Sequence, residues 1–493
     1  MKRVIKKGVS VARQKAQAFQ NDALEDLPED ASVDQLKAAA AHVSLAEFEH
    51  RVADAHDSWE ADSLLEDLAK ADGVEQHSSS DTCTPEEAAR LRRELREQGP
   101  TIFCQRTLDC GRYTAKKLLT AFSIKTPVYL NGESEEYYAS LLVIAIAKEL
   151  SKRVKLEAYN TVEDAVDLLE KSKSIIVITG AGISTSLGIP DFRSEGSGLY
   201  SKLEHLGLSD PQEVFDVGVF KENPSIFYSV AKDIIPSTDR YTPTHKFIAM
   251  LHQRGKLLTN YSQNIDNLEV KAGLPRNKLV QCHGSFGTAS CVRCRYQVRG
   301  ELIFPDIRAG NIPKCPRCVQ SPRAGAGSAK RKRSAGVDKR RNRRWSAADS
   351  SSDADDSDCD ISSAGVMKPD ITFFGEDLPG EFAKRLTEHD QDKVDLVVVI
   401  GTSLKVTPVS EIANWLPYKV PQIYVSRQSI DHINFDIDLL GDCDVVVAEL
   451  CRRLGWPLQH EMIPPNQVIN VTPQPGYKNR HVFKAAGPET NGV

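Results

Sequence analysis

Two cysteine pairs, Cys291-x-x-Cys294 and Cys315-x-x-Cys318, carry the clearest chemistry in this 493-residue chain. Their spacing and separation are those of paired zinc knuckles. Four thiolates close a tetrahedron and leave no open position, so a zinc ion here is structural and activates no water. Eleven cysteines without a secretory leader fit a reduced compartment better than a disulfide framework.

A second group of residues suits a ligand with phosphates. Gly180-Ala181-Gly182-Ile183-Ser184 follows a β-branched run, and its glycines let backbone approach a pyrophosphate. The third glycine of the usual dinucleotide fingerprint would fall at Thr185, so the ordinary pattern is broken. Gly188 to Ser194 follows, with Asp191, Phe192 and Arg193; the arginine can meet a phosphate or simply tie down a loop. Gln263-Asn264-Ile265-Asp266 offers two carboxamides and a carboxylate, suited to a nicotinamide amide or to local turn bonds. His283, before Gly284, titrates in the range that suits removal of a hydroxyl proton, although a structural histidine reads the same way. Gly401-Thr402-Ser403 ends an apolar run, as a ribose or phosphate contact or an ordinary turn. Phe373-Phe374-Gly375-Glu376 can pair with a peptide backbone and wall a lysine channel, or pack in the core.

These residues need a scaffold. Thr161 and Asp164 form a capping box before Val162, Ala165, Val166 and Leu169 at helical spacing. Short β-rich runs at Ile175–Thr179, Lys256–Thr259, Val394–Ile400, Gln422–Val425 and Asp444–Val447 read as strands, with helical patterns between them. That alternation predicts an α/β fold with a Rossmann-like, mainly parallel sheet, whose ligands collect at the carboxyl ends of the strands. The expected organisation is an arm over residues 1–100, a helical module over 101–156 and a core over 157–454. Within the core, a smaller zinc-binding domain spans about 282–376 and carries a charged insertion at 320–366. Residues 455–493 read as a flexible tail. The helix expected within Ser134–Leu156 either docks on the core or binds a partner.

Whole-chain charge is nearly balanced, with 63 basic and 68 acidic residues. The apolar runs are too short to span a bilayer, so no membrane role is expected. In the insertion, Lys330–Arg333 and Lys339–Arg344 precede an Asp/Ser block. Two basic clusters with a short spacer read as a bipartite nuclear signal, against a solvated loop or nonspecific nucleic-acid contact. No sequence-specific nucleic-acid binding is expected. The basic residues near Met1 read as a solvated tail or a mitochondrial presequence.

Taken in this order, the motifs resemble the sirtuin family over roughly residues 160–454. The matching stretches are Gly180–Ser184, Gly188–Ser194, Gln263–Asp266, His283–Ser285, both cysteine pairs, Lys368–Leu378, Gly401–Pro408 and Gly441–Asp444. The likeness is to the nuclear, histone-deacetylating class with the fungal silencing enzymes. It implies a Rossmann-like domain and a zinc-bearing one, with NAD and acyl-lysine meeting in the cleft between them. Gly180–Ser184, Asp191, Arg193, Tyr200, Thr402 and Ser403 would lie on the NAD side, with Ser426 and Arg427 at a ribose and Cys443 near the adenine. Asn264, Ile265 and Asp266 would seat the nicotinamide end, Gln263 would also bind the cofactor, and Phe192 would shield the sugar. Asn264 and His283 would act in catalysis, His283 as the base, and Phe373–Glu376 with Val406 would meet the substrate. The partners implied are acetylated histone tails, other acyl-lysine proteins and silencing-complex subunits. Two departures stand out: Ser426 precedes Arg427 where the family often has asparagine, and the insertion after Cys318 is long and charged. Protein mono-ADP-ribosyl transfer and a non-catalytic chromatin scaffold are the competing readings.

Overall fold

The computed structural model describes residue 46 and residues 82–124, 134–191, 198–203, 210–235, 240–320, 365–376 and 378–486. The basic and acidic blocks of the insertion, the basic amino-terminal stretch, Phe192 and Arg193 lie outside the described residues. Two compact units emerge: residues 1–206, 237–283 and 377–493, and residues 207–236 with 284–376. The segment 207–236 was not expected in the smaller unit.

The larger unit is built on an eight-stranded sheet in the order β10-β11-β9-β8-β7-β1-β2-β3. Its strands are β1 (Ile175–Thr179), β2 (Leu257–Ser262), β3 (Leu279–Gln281), β7 (Leu396–Ile400), β8 (Gln422–Ser426), β9 (Ile437–Leu440), β10 (Ile469–Pro473) and β11 (Arg480–Ala485). All pairings are parallel except β10 with β11. The central strands β1 and β7 are buried at every residue, as runs rich in β-branched residues and covered on both faces require. Helix Val162–Lys171 feeds β1, and the Thr161–Asp164 capping box is present.

Three expectations are corrected here. Asp444–Val447 lies in helix Cys443–Arg453, whose buried Cys443, Val446, Val447, Leu450 and Cys451 repeat with helical period; β9 is the strand of that region. Residues 455–493 are not simply a tail, because β10 and β11 extend the sheet and Phe483 is buried in its core. The arm does not run to residue 100 either. A kinked helix, Pro85–Cys104, starts at an N-cap on Thr84 and buries Leu91, Leu95 and Phe103. It packs with helices Ala115–Ala121 and Glu135–Ser151 around their own apolar cluster. The chain leaving the last helix is clamped to the sheet, where buried Arg153 meets Asp436 at 2.7 Å. This favours docking for the Glu135–Ser151 helix.

The smaller unit holds a three-stranded antiparallel sheet, β5-β4-β6, from β4 (Gly284–Cys291), β5 (Gln297–Arg299) and β6 (Met367–Ile371). Gly365 and Val366 belong to it and not to the insertion: Cys315 N–H donates to the Gly365 carbonyl, and Val292 N–H to that of Val366.

Candidate active site and zinc centre

Strand register alone assembles most of the site residues. Thr179 lies beside Ser262 and Ile400, Ser262 beside Gln281, Ile400 beside Val425, and Ser426 beside Leu440. Parallel strands ending in register release their loops on one side. Gly180–Ser184, Gln263–Asp266, His283, Gly401–Ser403, Ser426, Arg427 and Cys443 therefore all begin along one edge. Connectivity reverses between β1 and β7, since β2 and β3 extend the sheet one way and β8 and β9 the other. That switch point is where open parallel sheets bind ligands.

The loops after β1 and β7 touch backbone to backbone. Gly182 N–H donates to the Gly401 carbonyl at 2.8 Å. Gly401 has φ +64°, and a Cβ there would lie 2.7 Å from the Ile183 nitrogen, so only glycine fits. Thr402 Oγ1 accepts from Gln263 Nε2 at 2.8 Å, and the Thr402 carbonyl accepts from the Tyr424 hydroxyl at 2.9 Å. Ser403 is exposed beyond this knot.

Asp266, 5% exposed, accepts from the Ser184 hydroxyl at 2.7 Å and from Leu268 N–H at 3.1 Å. Asn264 is buried, and its amide nitrogen has no hydrogen-bond partner among the described residues. Such a donor fits a ligand carbonyl or hydroxyl, and a carboxylate two residues on fits the amide of nicotinamide. His283 Nδ1 lies 3.2 Å from the Gln263 carbonyl. A carbonyl only accepts, so Nδ1 carries the proton and Nε2 keeps the basic lone pair.

Ile265 shares the Gln263–Asp266 turn, and Ala181 and Ile183 form a 3-10 turn after Gly180. The Asp191 carbonyl accepts from Leu199 N–H at 2.7 Å, which brings helix Leu199–Leu203, with Tyr200, back to the glycine loop's exit. Arg427 is exposed and paired with Asp442. Cys443 is buried at the start of its helix, and burial pushes its thiol up to about 12, so it is no nucleophile at neutral pH. Val406 is half-buried in the loop after Ser403.

The sequence did not flag a second layer behind Asp266. Ser262 donates to Glu269 and accepts from Asn264 N–H at 3.1 Å. His245, at the start of helix Pro243–Gln253, lies with its ring nitrogen and the carboxylates of Asp266 and Glu269 within 4.8 Å of one another. A faint signal existed, because Glu269 falls in the apolar stretch just after the polar turn.

In the smaller unit, the Cys291 and Cys318 sulfurs are 3.8 Å apart and those of Cys294 and Cys315 3.7 Å. Zinc–sulfur bonds of about 2.3 Å in a tetrahedron set sulfurs about 3.8 Å apart, so the four residues fit zinc. Gly365, with φ +61°, presses its backbone against them: a Cβ there would be 2.9 Å from the Cys291 and Cys318 sulfurs.

The Phe373–Glu376 stretch departs from its expected use as a pairing edge. Phe374 N–H donates to the Phe215 carbonyl at 2.8 Å, and Val217 N–H to the Phe374 carbonyl at 3.0 Å. Phe373 N–H goes to Glu376 Oε2, which also pairs with Lys368 at 2.8 Å. This backbone is already satisfied within its own unit. Phe373 is buried among Phe215, Phe220 and Phe227, as the core reading held, while Phe374 is 42% exposed and Gly375 turns the chain at φ +82°.

The Sir2 family model matches residues 180–408, from the glycine loop to just past the Gly401 turn. A fission-yeast protein (Schizosaccharomyces pombe), NAD-dependent histone deacetylase sir2, is 42% identical over 372 residues, 75% of this chain and 76% of its own. The Saccharomyces cerevisiae NAD-dependent protein deacetylase HST1 is 47% identical over 317 residues, 64% of this chain and 60% of its own. Human NAD-dependent protein deacetylase sirtuin-1 is 41% identical over 382 residues, 76% of this chain and 44% of its own. The chain thus spans three quarters of one relative but about half of the others. Identity at this level, over three quarters of this chain and three quarters of the fission-yeast protein, makes it a member of the Sir2 family.

Proposed function

We propose that this chain is an NAD-dependent protein-lysine deacetylase of chromatin, acting in the nucleus on acetylated histone tails and other acyl-lysine proteins in transcriptional silencing. Its products are nicotinamide, deacetylated lysine and O-acetyl-ADP-ribose. One observation carries the reading: the glycine loop, Asn264, Asp266, Thr402 and His283 leave one edge of one parallel sheet together. The names of the relatives point the same way.

NAD, when bound, supplies the ribose carbon that accepts the acyl oxygen. Gly180–Ser184, Thr402 and Ser403 hold its phosphates and riboses, with Ser426 and Arg427 at the far ribose and Cys443 beside the adenine. Asn264 and Asp266 seat the nicotinamide end, Asn264 through its buried amide nitrogen. His283, its ring held through Nδ1, takes up a proton at Nε2 from a ribose hydroxyl. Val406, in the loop after Ser403, borders the acyl-lysine. Zinc holds the smaller unit together and takes no part in the chemistry. Silencing-complex subunits are the expected partners; among the described residues, no helix is long and apolar enough to cross a membrane.

The test is an acetyl-lysine peptide incubated with the protein, with and without NAD, beside His283→Ala, and followed by mass spectrometry. Deacetylation that requires NAD, yields O-acetyl-ADP-ribose and falls by about a hundredfold or more in the variant is the expected result. ADP-ribose appearing on protein while the peptide stays acetylated would replace this reading with the transferase one. Folded, zinc-loaded protein that consumes no NAD would leave a binding scaffold.

A further inference from the structure

Behind Asp266 lies a second carboxyl, on Glu269, that the reaction does not use. Glu269 is 1% exposed, and its Oε1 accepts from the Ser262 hydroxyl, whose oxygen accepts from Asn264 N–H at 3.1 Å. Among the described residues its Oε2 has no hydrogen-bond partner, and neither has His245 Nε2; both residues are buried. Thr242 N–H points at His245 Nδ1 at 3.2 Å, so the neutral ring carries its proton on Nε2. One ring nitrogen of His245 and one carboxylate oxygen each of Asp266 and Glu269 lie within 4.8 Å of one another.

We propose that Glu269 is a positioning residue of the NAD site: packed behind Asp266, it fixes the Asn264 backbone through Ser262. This rests on the deacetylase reading. Two buried carboxyl groups this close cannot both ionise cheaply. Burial first, and the Asp266 charge second, push the Glu269 carboxyl up to about 8. Burial also lowers the His245 ring, despite Asp266 and Asp444 nearby and with His460 acting against protonation, so no cation forms there to offset a second charge. On the other side, the Cys282 thiol is itself raised by burial and stays neutral. Above about pH 8 Glu269 ionises, repels Asp266 and loosens the turn that presents Asn264.

Two readouts test this on the full-length, zinc-loaded protein, with wild type, Glu269→Gln and Glu269→Ala matched by circular dichroism. The first needs no NAD. The infrared difference between wild type and Glu269→Gln at pH 7 should show one protonated-carboxyl band, which is lost when the pH is raised to 10. No such band overturns the proposal. The second is kcat/KM for NAD from pH 6 to 10. Wild type should lose activity above pH 8; Glu269→Ala should fall about tenfold at pH 7, and Glu269→Gln should recover most of that loss with a flat alkaline limb. A Glu269→Gln enzyme as poor as Glu269→Ala, or one keeping the wild-type alkaline limb, overturns it. If wild type consumes no NAD, the deacetylase reading fails, and the infrared band still decides the state of Glu269.

Discussion

The two units of this protein solve the same problem, holding loops in place, by different means. In the larger one, β1 and β7 are fully buried β-branched strands, and each such side chain withdrawn from water contributes about 1.5–3 kcal/mol. Its loops inherit their positions from strand register and backbone contact. In the smaller one, a short three-stranded sheet is joined by four sulfurs at zinc-ligand distances. Geometry set by packing is spread over many residues, whereas geometry set by a metal depends on one ion.

Removing the metal should break the comparison open most widely. Structural zinc sites contribute about 10–16 kcal/mol, so chelation should abolish hydrogen-exchange protection in residues 284–319 and 365–376 while β1 and β7 stay protected. Simultaneous loss in both would show one cooperative unit. Next comes Asp436→Ala. It strands buried Arg153 and deprives Leu156 and Gln422 N–H of their acceptor, costing about 3–5 kcal/mol in chemical denaturation. Zinc content should not change. Gly401→Ala forces a side chain against Ile183 at positive φ, for about 1–3 kcal/mol and weaker NAD binding by calorimetry. Wild-type affinity in that variant would mean the two loops can separate without harm. Thr161→Ala is the mildest: losing the capping box should cost about 1 kcal/mol in thermal unfolding and leave both sites untouched.

Local signals were legible in the sequence and long-range ones were not. The bounds of β1, the capping box and the cysteine spacing depend on a few adjacent residues, and each could be read directly. Asp444–Val447 misled because three consecutive valines favour a strand, while the helical repeat shows only once Leu450 and Cys451 are counted. Prolines 464, 465, 473 and 475 gave the carboxyl-terminal stretch the texture of a linker, although Ile469 and Val471 alternate as a strand. The Ser262–Glu269–His245 layer, beyond the faint hint at Glu269, could not be read for a different reason. It exists only where β2, the turn after it and helix Pro243–Gln253 are packed together, and no spacing rule connects them.

The pairing of β1 with β7 has a consequence for how the protein is made. β1 ends at residue 179, and its partner begins at residue 396. At about 5–20 residues per second, a ribosome needs roughly ten to forty seconds to bridge that interval. Throughout it, Ile-Ile-Val-Ile-Thr has at most the β2 side covered and a sticky apolar edge open to the cytosol. The glycine loop emerges early yet cannot make its backbone contact until Gly401 arrives, so the first strand of the sheet is held incomplete for most of the synthesis of its own domain.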